Sequence, residues 1–468
     1  MAVTASPADV LRSGLDVSEP GGEFTSRAAA EAYVGKVCFK QGPPLLIGAE
    51  LEWLTAQGEL SATNSRPDLT VLADALGPYA PRSISPDSPA DPLPGGSRVT
   101  LEPGGQIELS SAPFGTATEL CERLRADTTS LRELLESRGI RTISGAADAV
   151  RLPLRVLRLP RYRAMEESFA GLGPFGALMM CNTAATQVSV DAGADPAEIA
   201  ARWRALYAVG PALLAAFACS PGLHTAPPGA WASQRMRAWQ RLDQLRTRPP
   251  VHDWADPITG YARWALDVPL LCVRPGSANG TSSSAAGTSG SANGTSGSAN
   301  GTSGSANGSS GSAGTEADWC APPGATFADW LCGALDDEIG RRPDRSDLDY
   351  HLTTLFPPVR AAGHLEVRYI DAQPGDGWTV PVHAIGALLS SAETVKEATA
   401  LADPTASAWS ESARHGLGDP ELRATAVALL EMATAHAETP EAAGELAAAA
   451  LRCRRGDIPT AAEFGGGA

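Results

Sequence analysis

The sequence predicts a mixed fold in which helices alternate irregularly with short strands. Helical periodicity is clearest from about Thr116 to Arg138, where leucines recur at helical spacing and Gly139 follows as an end signal. A second helix is predicted after Asp195, an N-cap residue that precedes Pro196 and stands three residues before Glu198. Strands are indicated by short segments with polar residues at every second position. Hydrophobic residues make up 43% of the 468, enough to bury a sizeable core.

The chain is expected to form one catalytic domain, 1–468, with an interruption at 276–314. That interruption contains only Gly, Ser, Ala, Asn and Thr, and Gly-Thr-Ser-Gly-Ser-Ala-Asn occurs there three times in succession. Without large apolar side chains such a stretch cannot offset its ordering entropy, so we expect a flexible and dispensable loop. The alanine-rich residues 421–454 are expected to be helical.

Charge and cysteine content exclude several classes of protein. The 37 basic residues include only three lysines, none followed by Ser or Thr, so a Gly-Lys-Ser/Thr phosphate loop is absent. A net charge of -16 argues against broad binding to nucleic acid or anionic membranes. The eight cysteines form no Cys-x-x-Cys pair, and no secretory signal is recognisable, so we expect a cytoplasmic protein with reduced thiols.

Acidic and amide side chains repeatedly share one face of the predicted strands. Glu50 and Glu52 alternate with apolar residues, and so do Gln106 and Glu108 after a glycine pair that implies a turn or bulge. The same pattern places Gln187 on one strand and both Glu366 and Arg368 on another. Converging carboxylates would repel one another unless cations lay between them, and oxygen ligands favour Mg²⁺ or Mn²⁺. A solvated acidic face explains the pattern equally well.

Arginines could supply the complementary charge. The segment Ser233–Thr247 carries four of them, and guanidinium groups bind phosphate or carboxylate with two hydrogen bonds. Taken alone, this segment fits a solvated helix flank or linker better than an anion clamp.

Several blocks resemble the plant-type and actinobacterial glutamate–cysteine ligase family. The most specific are Leu101-Glu-Pro-Gly-Gly-Gln-Ile-Glu-Leu-Ser110 and His351-Leu-Thr-Thr-Leu-Phe-Pro357. The other blocks are Gly48-Ala-Glu-Leu-Glu52, Pro160-Arg-Tyr162, Met179-Met180, Thr186-Gln-Val188, Ser233-Gln-Arg235 with Trp239, Ala265-Leu-Asp-Val-Pro269 and Glu366-Val-Arg368. Within the family, residues 364–378 most resemble the actinobacterial branch that opens ergothioneine biosynthesis.

The resemblance implies an α+β, glutamine-synthetase-like fold: an antiparallel sheet curved into a funnel, with helices on its outer side. It implies that ATP phosphorylates the γ-carboxylate of L-glutamate, and that the amine of L-cysteine attacks this γ-glutamyl phosphate to give γ-glutamylcysteine and ADP. No protein nucleophile is needed, and the expected ligands are ATP, Mg²⁺ or Mn²⁺ and the two amino acids. A monomer is compatible with this expectation.

The resemblance also assigns roles to residues. The expected metal ligands are Glu50, Glu52, Glu102, Glu108 and Glu366. Arg235 is expected to bind the glutamate α-carboxylate, and Arg246 and Arg368 to stabilise the transferring phosphoryl group. The further substrate-binding candidates are Gln106, Tyr261, Gln187 and Asn182.

Two other functions stay open on sequence alone. One is another carboxylate–amine ligase that joins glutamate to a different amine. The other is a non-catalytic relative that binds nucleotide or amino acid without turnover.

Overall fold

The fold is built on one antiparallel sheet covered by helices. The structure, a computed structural model, describes residues 24–58, 66–250, 254–274 and 320–460. The interruption at 276–314 therefore lies outside the described residues. The sheet strands are β1 (Ile47–Gln57), β2 (Arg98–Leu101), β3 (Ile107–Ser110), β4 (Ile140–Ile143), β5 (Ala185–Val190), β6 (Val359–Ala361) and β7 (Leu365–Asp371).

Seventeen α-helices lie in the described part of the chain. In the first half they are α1 (Arg27–Cys38), α2 (Leu69–Leu76), α3 (Ala117–Glu136), α4 (Pro160–Ala170), α5 (Phe175–Asn182), α6 (Pro196–Phe217), α7 (Gln234–Gln240), α8 (Gln244–Thr247) and α9 (Pro257–Asp267). In the second half they are α10 (Phe327–Cys332), α11 (Asp336–Ile339), α12 (Arg345–Leu352), α13 (Thr379–Leu388), α14 (Ala392–Ala402), α15 (Trp409–His415), α16 (Pro420–Ala435) and α17 (Pro440–Arg455).

Helix ends follow the capping residues that the sequence offers. Thr116 accepts a hydrogen bond from the Glu119 amide at the start of α3, and Asp195 caps α6 in the same way. Both predicted helices are thus confirmed. Residues 421–454 fall in two helices rather than one, because Thr439 caps a new helix before Pro440.

The strands lie in the order β2-β3-β1-β5-β7-β6, and β4 pairs with the end of β1. Every pairing is antiparallel. The glycine pair forms the β2–β3 turn, where Gly105 has a φ of 84° and donates its amide hydrogen to the Glu102 carbonyl.

The two faces of the sheet differ in chemistry. Apolar side chains of one face, such as Leu51, Val188 and Val367, are fully buried in the main core. Helices α3, α6 and α13 pack against the sheet. The predicted α+β class is confirmed, whereas the funnel shape remains a prediction. None of the described helices combines the length and apolarity needed to cross a membrane.

Candidate functional site

The polar face of the sheet forms the wall of a cavity of about 480 Å³. Of the residues predicted from the sequence, nine line it: Glu50, Glu52, Glu102, Glu108, Glu366, Gln106, Gln187, Arg235 and Arg368. Antiparallel pairing explains this convergence, because Glu52 lies opposite Glu108 and Glu50 lies opposite Gln187. The structure therefore brings together acidic side chains from β1, β3 and β7, joined by Glu102 at the end of β2.

Short polar side chains hold the central carboxylates in place. The Ser110 hydroxyl donates to Glu50 Oε1 at 3.1 Å and to Glu108 Oε1 at 3.3 Å. Gln187 Nε2 donates to Glu50 Oε2 at 3.2 Å and to Glu52 Oε1 at 3.1 Å. These contacts orient the carboxylates before any ligand binds.

Burial, together with mutual repulsion, raises the pKa of each of these carboxylates. Burial and the neighbouring Glu102 raise the pKa of Glu52 to about 8. Burial and the same neighbour raise the pKa of Glu108 to about 8. Burial, Glu108 and Glu366 raise the pKa of Glu50 well above its usual range. The cavity therefore holds an acidic cluster that would gain from a cation.

Glu366 differs from the other carboxylates because two arginines neutralise it. Its Oε2 accepts hydrogen bonds from Arg360 Nε at 2.7 Å and from Arg368 Nη1 at 2.8 Å. Burial alone would raise the pKa of Glu366, but the two guanidinium groups lower it to about 2. Glu366 is thus ionised and already paired.

Arg235 is held at the cavity by a buried network behind it. Its Nη2 donates to the Arg368 carbonyl at 2.7 Å, and its Nη1 lies 3.7 Å from Asp371. Asp371 in turn accepts hydrogen bonds from the hydroxyls of Ser220, at 2.7 Å, and Ser233, at 2.8 Å. Since Ser233 caps α7, this network fixes the helix that carries Arg235.

The remaining wall of the cavity is apolar and rich in sulfur. It comprises Tyr162, Met165, Met179, Met180, Trp239 and Phe356. The rings of Trp239 and Phe356 pack edge to face with centroids 5.5 Å apart. The cavity thus has an acidic floor and an apolar side.

Three of the residues predicted for the site are not among those that line the cavity. Arg246 donates to the Thr354 carbonyl at 2.7 Å and to the Pro269 carbonyl, so its guanidinium joins loops in the interior. Tyr261 is fully buried and donates to the Ala361 carbonyl at 3.3 Å. Arg237 and Arg241, the other two arginines of the segment Ser233–Thr247, do not line the cavity either.

Asn182 is the third such residue, and it too is engaged elsewhere. Its Nδ2 donates to the Arg151 carbonyl at 2.6 Å, and its Oδ1 accepts from Arg66 at 2.5 Å. A substrate could reach this side chain only after those hydrogen bonds were broken.

Sequence reasoning missed several residues of the cavity. Arg161 and Tyr162 line the cavity and belong to the block Pro160-Arg-Tyr162, which contributes to the family resemblance but indicates no role for either residue. Arg360 could have been found from the short β6–β7 hairpin, whose register sets it opposite Glu366. Lys36 lies in the last turn of α1 and Lys40 two residues after that helix, and no local pattern indicates them as cavity residues.

The chemistry of the site fits divalent cations. Within the ranges that the structure describes, no group of three or more acidic, histidine or cysteine side chains is arranged so that it could hold a metal ion without rearrangement. Their oxygens accept hydrogen bonds from protein donors instead. Gln106 Oε1 and Gln187 Oε1 are buried without a hydrogen-bond partner. Hard oxygen donors of this kind, together with carboxylates that ionise when a cation binds, suit Mg²⁺ or Mn²⁺.

The chain is similar to known proteins over most of its length. Residues 46–457 match glutamate-cysteine ligase family 2. The chain is 34% identical over 418 residues to "Glutamate--cysteine ligase EgtA" of Mycolicibacterium smegmatis, covering 89% of this chain and 86% of that protein. It is 28% identical over 284 residues to the chloroplastic glutamate–cysteine ligase of Medicago truncatula, covering 60% of this chain and 48% of that protein.

A solved structure also overlays on much of the chain, but weakly. It is the complex between the prokaryotic ubiquitin-like protein Pup and its ligase PafA, with 11% identity and a TM-score of 0.39, covering 88% of this chain and 63% of that chain. That likeness carries no argument about fold or function. The family match spans most of the chain, and the chain therefore belongs to glutamate-cysteine ligase family 2.

Proposed function

We propose that this protein joins the γ-carboxylate of L-glutamate to the amine of L-cysteine in a reaction that consumes ATP and releases ADP and phosphate. The observation that carries the proposal is the acidic cluster in the cavity of a chain that belongs to this family. We place the product, γ-glutamylcysteine, in low-molecular-weight thiol synthesis, with ergothioneine as the expected end product. The fold is proposed to be glutamine-synthetase-like, and the protein to act in the cytoplasm.

Glu50, Glu52, Glu102 and Glu108 would hold the divalent cations. A bound cation would neutralise the phosphate oxygens and draw charge from the transferring group. The carboxylates would give up their protons when the cations bind, because ligating carboxylates must be ionised. Mg²⁺ is the proposed metal, since oxygen ligands and phosphate favour it.

Arg360 and Arg368 are proposed to stabilise the transferring phosphoryl group. Both guanidinium groups are paired with Glu366, and phosphoryl oxygens would offer them a stronger partner. Exchange of Glu366 for phosphate would free that carboxylate to join the other metal ligands. Arg235 is proposed to bind the α-carboxylate of glutamate, with Gln106 and Gln187 orienting substrate or metal-bound water through their unpartnered oxygens.

An ADP-release assay tests the proposal. Purified protein would be given MgATP with L-glutamate and a panel of amines that includes cysteine, serine and 2-aminobutyrate. ADP formation should require both glutamate and an acceptor, with cysteine the best, and mass spectrometry should detect γ-glutamylcysteine. Equal turnover with cysteine present or absent would reject the proposal. Nucleotide binding without turnover would favour the non-catalytic alternative.

A further inference from the structure

Two of the three lysines in the chain lie at one end of the cavity. Lys36 is in the last turn of α1, and Lys40 follows that helix by two residues. Both side chains are exposed, and both line the cavity. The third lysine, Lys396, is equally exposed on α14 and does not line the cavity.

Neither Lys36 nor Lys40 has an ion-pair or hydrogen-bond partner within the described residues. Glu31 precedes Lys36 on α1 by about one and a half helical turns. It is paired with Arg27 at 2.8 Å, not with Lys36, and lies 3.8 Å from Arg263. An exposed ammonium group without a protein partner is bound to water. At the mouth of a cavity it can exchange that water for an incoming anion.

The backbone places Lys40 against the sheet rather than in open solvent. The Gly363 amide donates to the Cys38 carbonyl at 2.9 Å, which ties the end of α1 to the β6–β7 turn. The Lys40 side chain lies over that turn, since a Cβ added to Gly363 would be 3.3 Å from Lys40 Cε. Its ammonium group is thus positioned next to the cavity by a packed stem.

Charges of both signs lie near the two lysines, and Asp191 acts on the neighbouring His364 together with Lys40. The ionisable groups that line this end of the cavity are Lys36, Lys40, Arg360, His364, Asp349 and Glu366. Glu366 is already paired with Arg360, and Asp349 accepts a hydrogen bond from the Tyr33 hydroxyl at 2.8 Å. Of Lys36, Lys40 and Arg360, the arginine is committed to Glu366, and only the two ammonium groups have no ion-pair partner among the described residues.

We propose that Lys36 and Lys40 bind the phosphate chain of the nucleotide at the mouth of the cavity. This inference rests on the proposed function, which makes a nucleoside triphosphate a substrate. The triphosphate is the most highly charged of the three substrates, and point charges without fixed geometry suit a phosphate chain. Positive charge at the mouth of the cavity also offsets the repulsion that a chain of net charge -16 exerts on an anionic nucleotide.

Lysine reactivity in the unmodified protein tests this directly. The chain has three lysine side chains, so acetylation by an amine-reactive ester can be followed at each by peptide mass spectrometry, with Lys396 as an internal control. A non-hydrolysable ATP analogue with Mg²⁺, at about ten times its Kd, should slow acetylation of Lys36 and Lys40 roughly tenfold. Lys396 should react at the same rate throughout. Unchanged rates at all three lysines, or protection by glutamate instead of nucleotide, would overturn the inference.

Variants add a second test. The combined change Lys36→Ala and Lys40→Ala should raise KM for ATP roughly tenfold and leave kcat and both amino-acid KM values within about twofold. Lys36→Arg with Lys40→Arg should restore most of the affinity, and Lys396→Ala should behave as the wild type. A wild-type KM for ATP in the double alanine variant contradicts the inference.

The two proposals can fail separately. If the wild-type protein forms no ADP with any amine yet nucleotide protects Lys36 and Lys40, the proposed function fails and the binding role stands. If turnover is normal and nucleotide protects neither lysine, the binding role alone fails.

Discussion

At the scale of single residues, the buried carboxylates are arranged for a ligand rather than for stability. Glu50, Glu52 and Glu108 are held close to one another, and burial, followed by repulsion from neighbouring carboxylates, raises their pKa values. A neutral amide of the same shape would relieve that repulsion. The energetic cost of the cluster is thus tied to its proposed role in metal binding.

Glu50→Gln and Glu108→Gln test that role. Each change keeps the shape and most hydrogen bonds but removes an ionisable ligand, so kcat should fall by more than roughly a hundredfold. The metal-free protein should unfold at a temperature similar to or above that of the wild type, because an uncharged amide avoids the cost of a buried charge. Activity and thermal unfolding with and without Mg²⁺ check this. Glu122→Gln, on the exposed side of α3, is the matched control, and full activity in both site variants would contradict the metal assignment.

Arg235 and Arg246 are both almost fully buried, but their contacts predict different defects. Arg235→Ala should raise KM for glutamate by roughly tenfold or more, because a carboxylate loses its bidentate partner. Arg246→Ala should instead lower the free energy of unfolding by roughly 2–4 kcal/mol, because two carbonyls lose their donor. Arg235→Ala should also be less stable, because the Arg368 carbonyl and Asp371 lose their partner, so the KM for glutamate of the folded variants separates the two. An unchanged glutamate dependence in the Arg235 variant would rule out its proposed role.

At the scale of secondary-structure elements, the strands and the β2–β3 turn could be predicted from the sequence. The long-range contacts that bury other predicted residues could not. Alternation put Glu50, Glu108 and Gln187 on one face because strand side chains point to opposite sides, and this holds regardless of the rest of the fold. The burial of Arg246 and Tyr261 depends on contacts with residues about a hundred positions away. Such contacts leave no periodic signal in the chain.

The turn that carries Glu102 and Gln106 requires a glycine for a reason that only the packing shows. A Cβ added to Gly104 would lie 2.3 Å from the Cys181 carbonyl oxygen at the end of α5. That approach sets Gln106, whose Nε2 donates to the Thr183 carbonyl at 2.8 Å, against the same segment. The β2–β3 turn and α5 thus position one side of the cavity jointly.

Gly104→Ala should therefore impair both stability and activity. The methyl group must displace backbone, so we expect a loss of roughly 2–4 kcal/mol in the free energy of unfolding and a lower kcat. Gly42→Ala is the matched control, because a Cβ there meets nothing within 4 Å. Urea unfolding and turnover check both variants. A Gly104→Ala protein as stable as the control would show that the turn can move away from α5.

At the scale of the whole molecule, residues 276–314 are predicted to be dispensable. Cys272 and Cys320 form an isolated antiparallel bridge, so the chain leaves and re-enters the described structure at neighbouring points. A short linker can span such a distance. Replacing 276–314 by a short Gly/Ser linker should keep kcat and KM within a few-fold, measured in the ADP assay. Loss of turnover in a protein that still unfolds cooperatively would assign this segment a functional role.

The acidic cluster should also couple the stability of the whole protein to pH and to metal. Glu52 and Glu108 have pKa values of about 8, above those of ordinary glutamates, so the folded state binds more protons than the unfolded chain between about pH 5 and about pH 8. The free energy of unfolding of the metal-free protein should therefore fall as pH rises through that window. Burial lowers the pKa of His351, His364 and His383, so these groups act in the opposite direction below about pH 6.5, and the fall should be clearest between about pH 6.5 and about pH 8. Glu366 also acts in the opposite direction, but only in strongly acidic solutions, because its pKa is about 2.

Mg²⁺ should reverse much of that fall, because it competes with the same protons. The rise in Tm on adding about 10 mM MgCl₂ should be small near pH 5.5 and should grow steadily toward pH 8, where the ligands ionise readily. Thermal unfolding across this range, with and without metal, measures both trends. The Glu52→Gln and Glu108→Gln double variant should lose the part of the pH dependence that these two carboxylates cause and most of the metal effect. A double variant that keeps the pH dependence and the Mg²⁺ response of the wild type would mean that the metal site lies elsewhere.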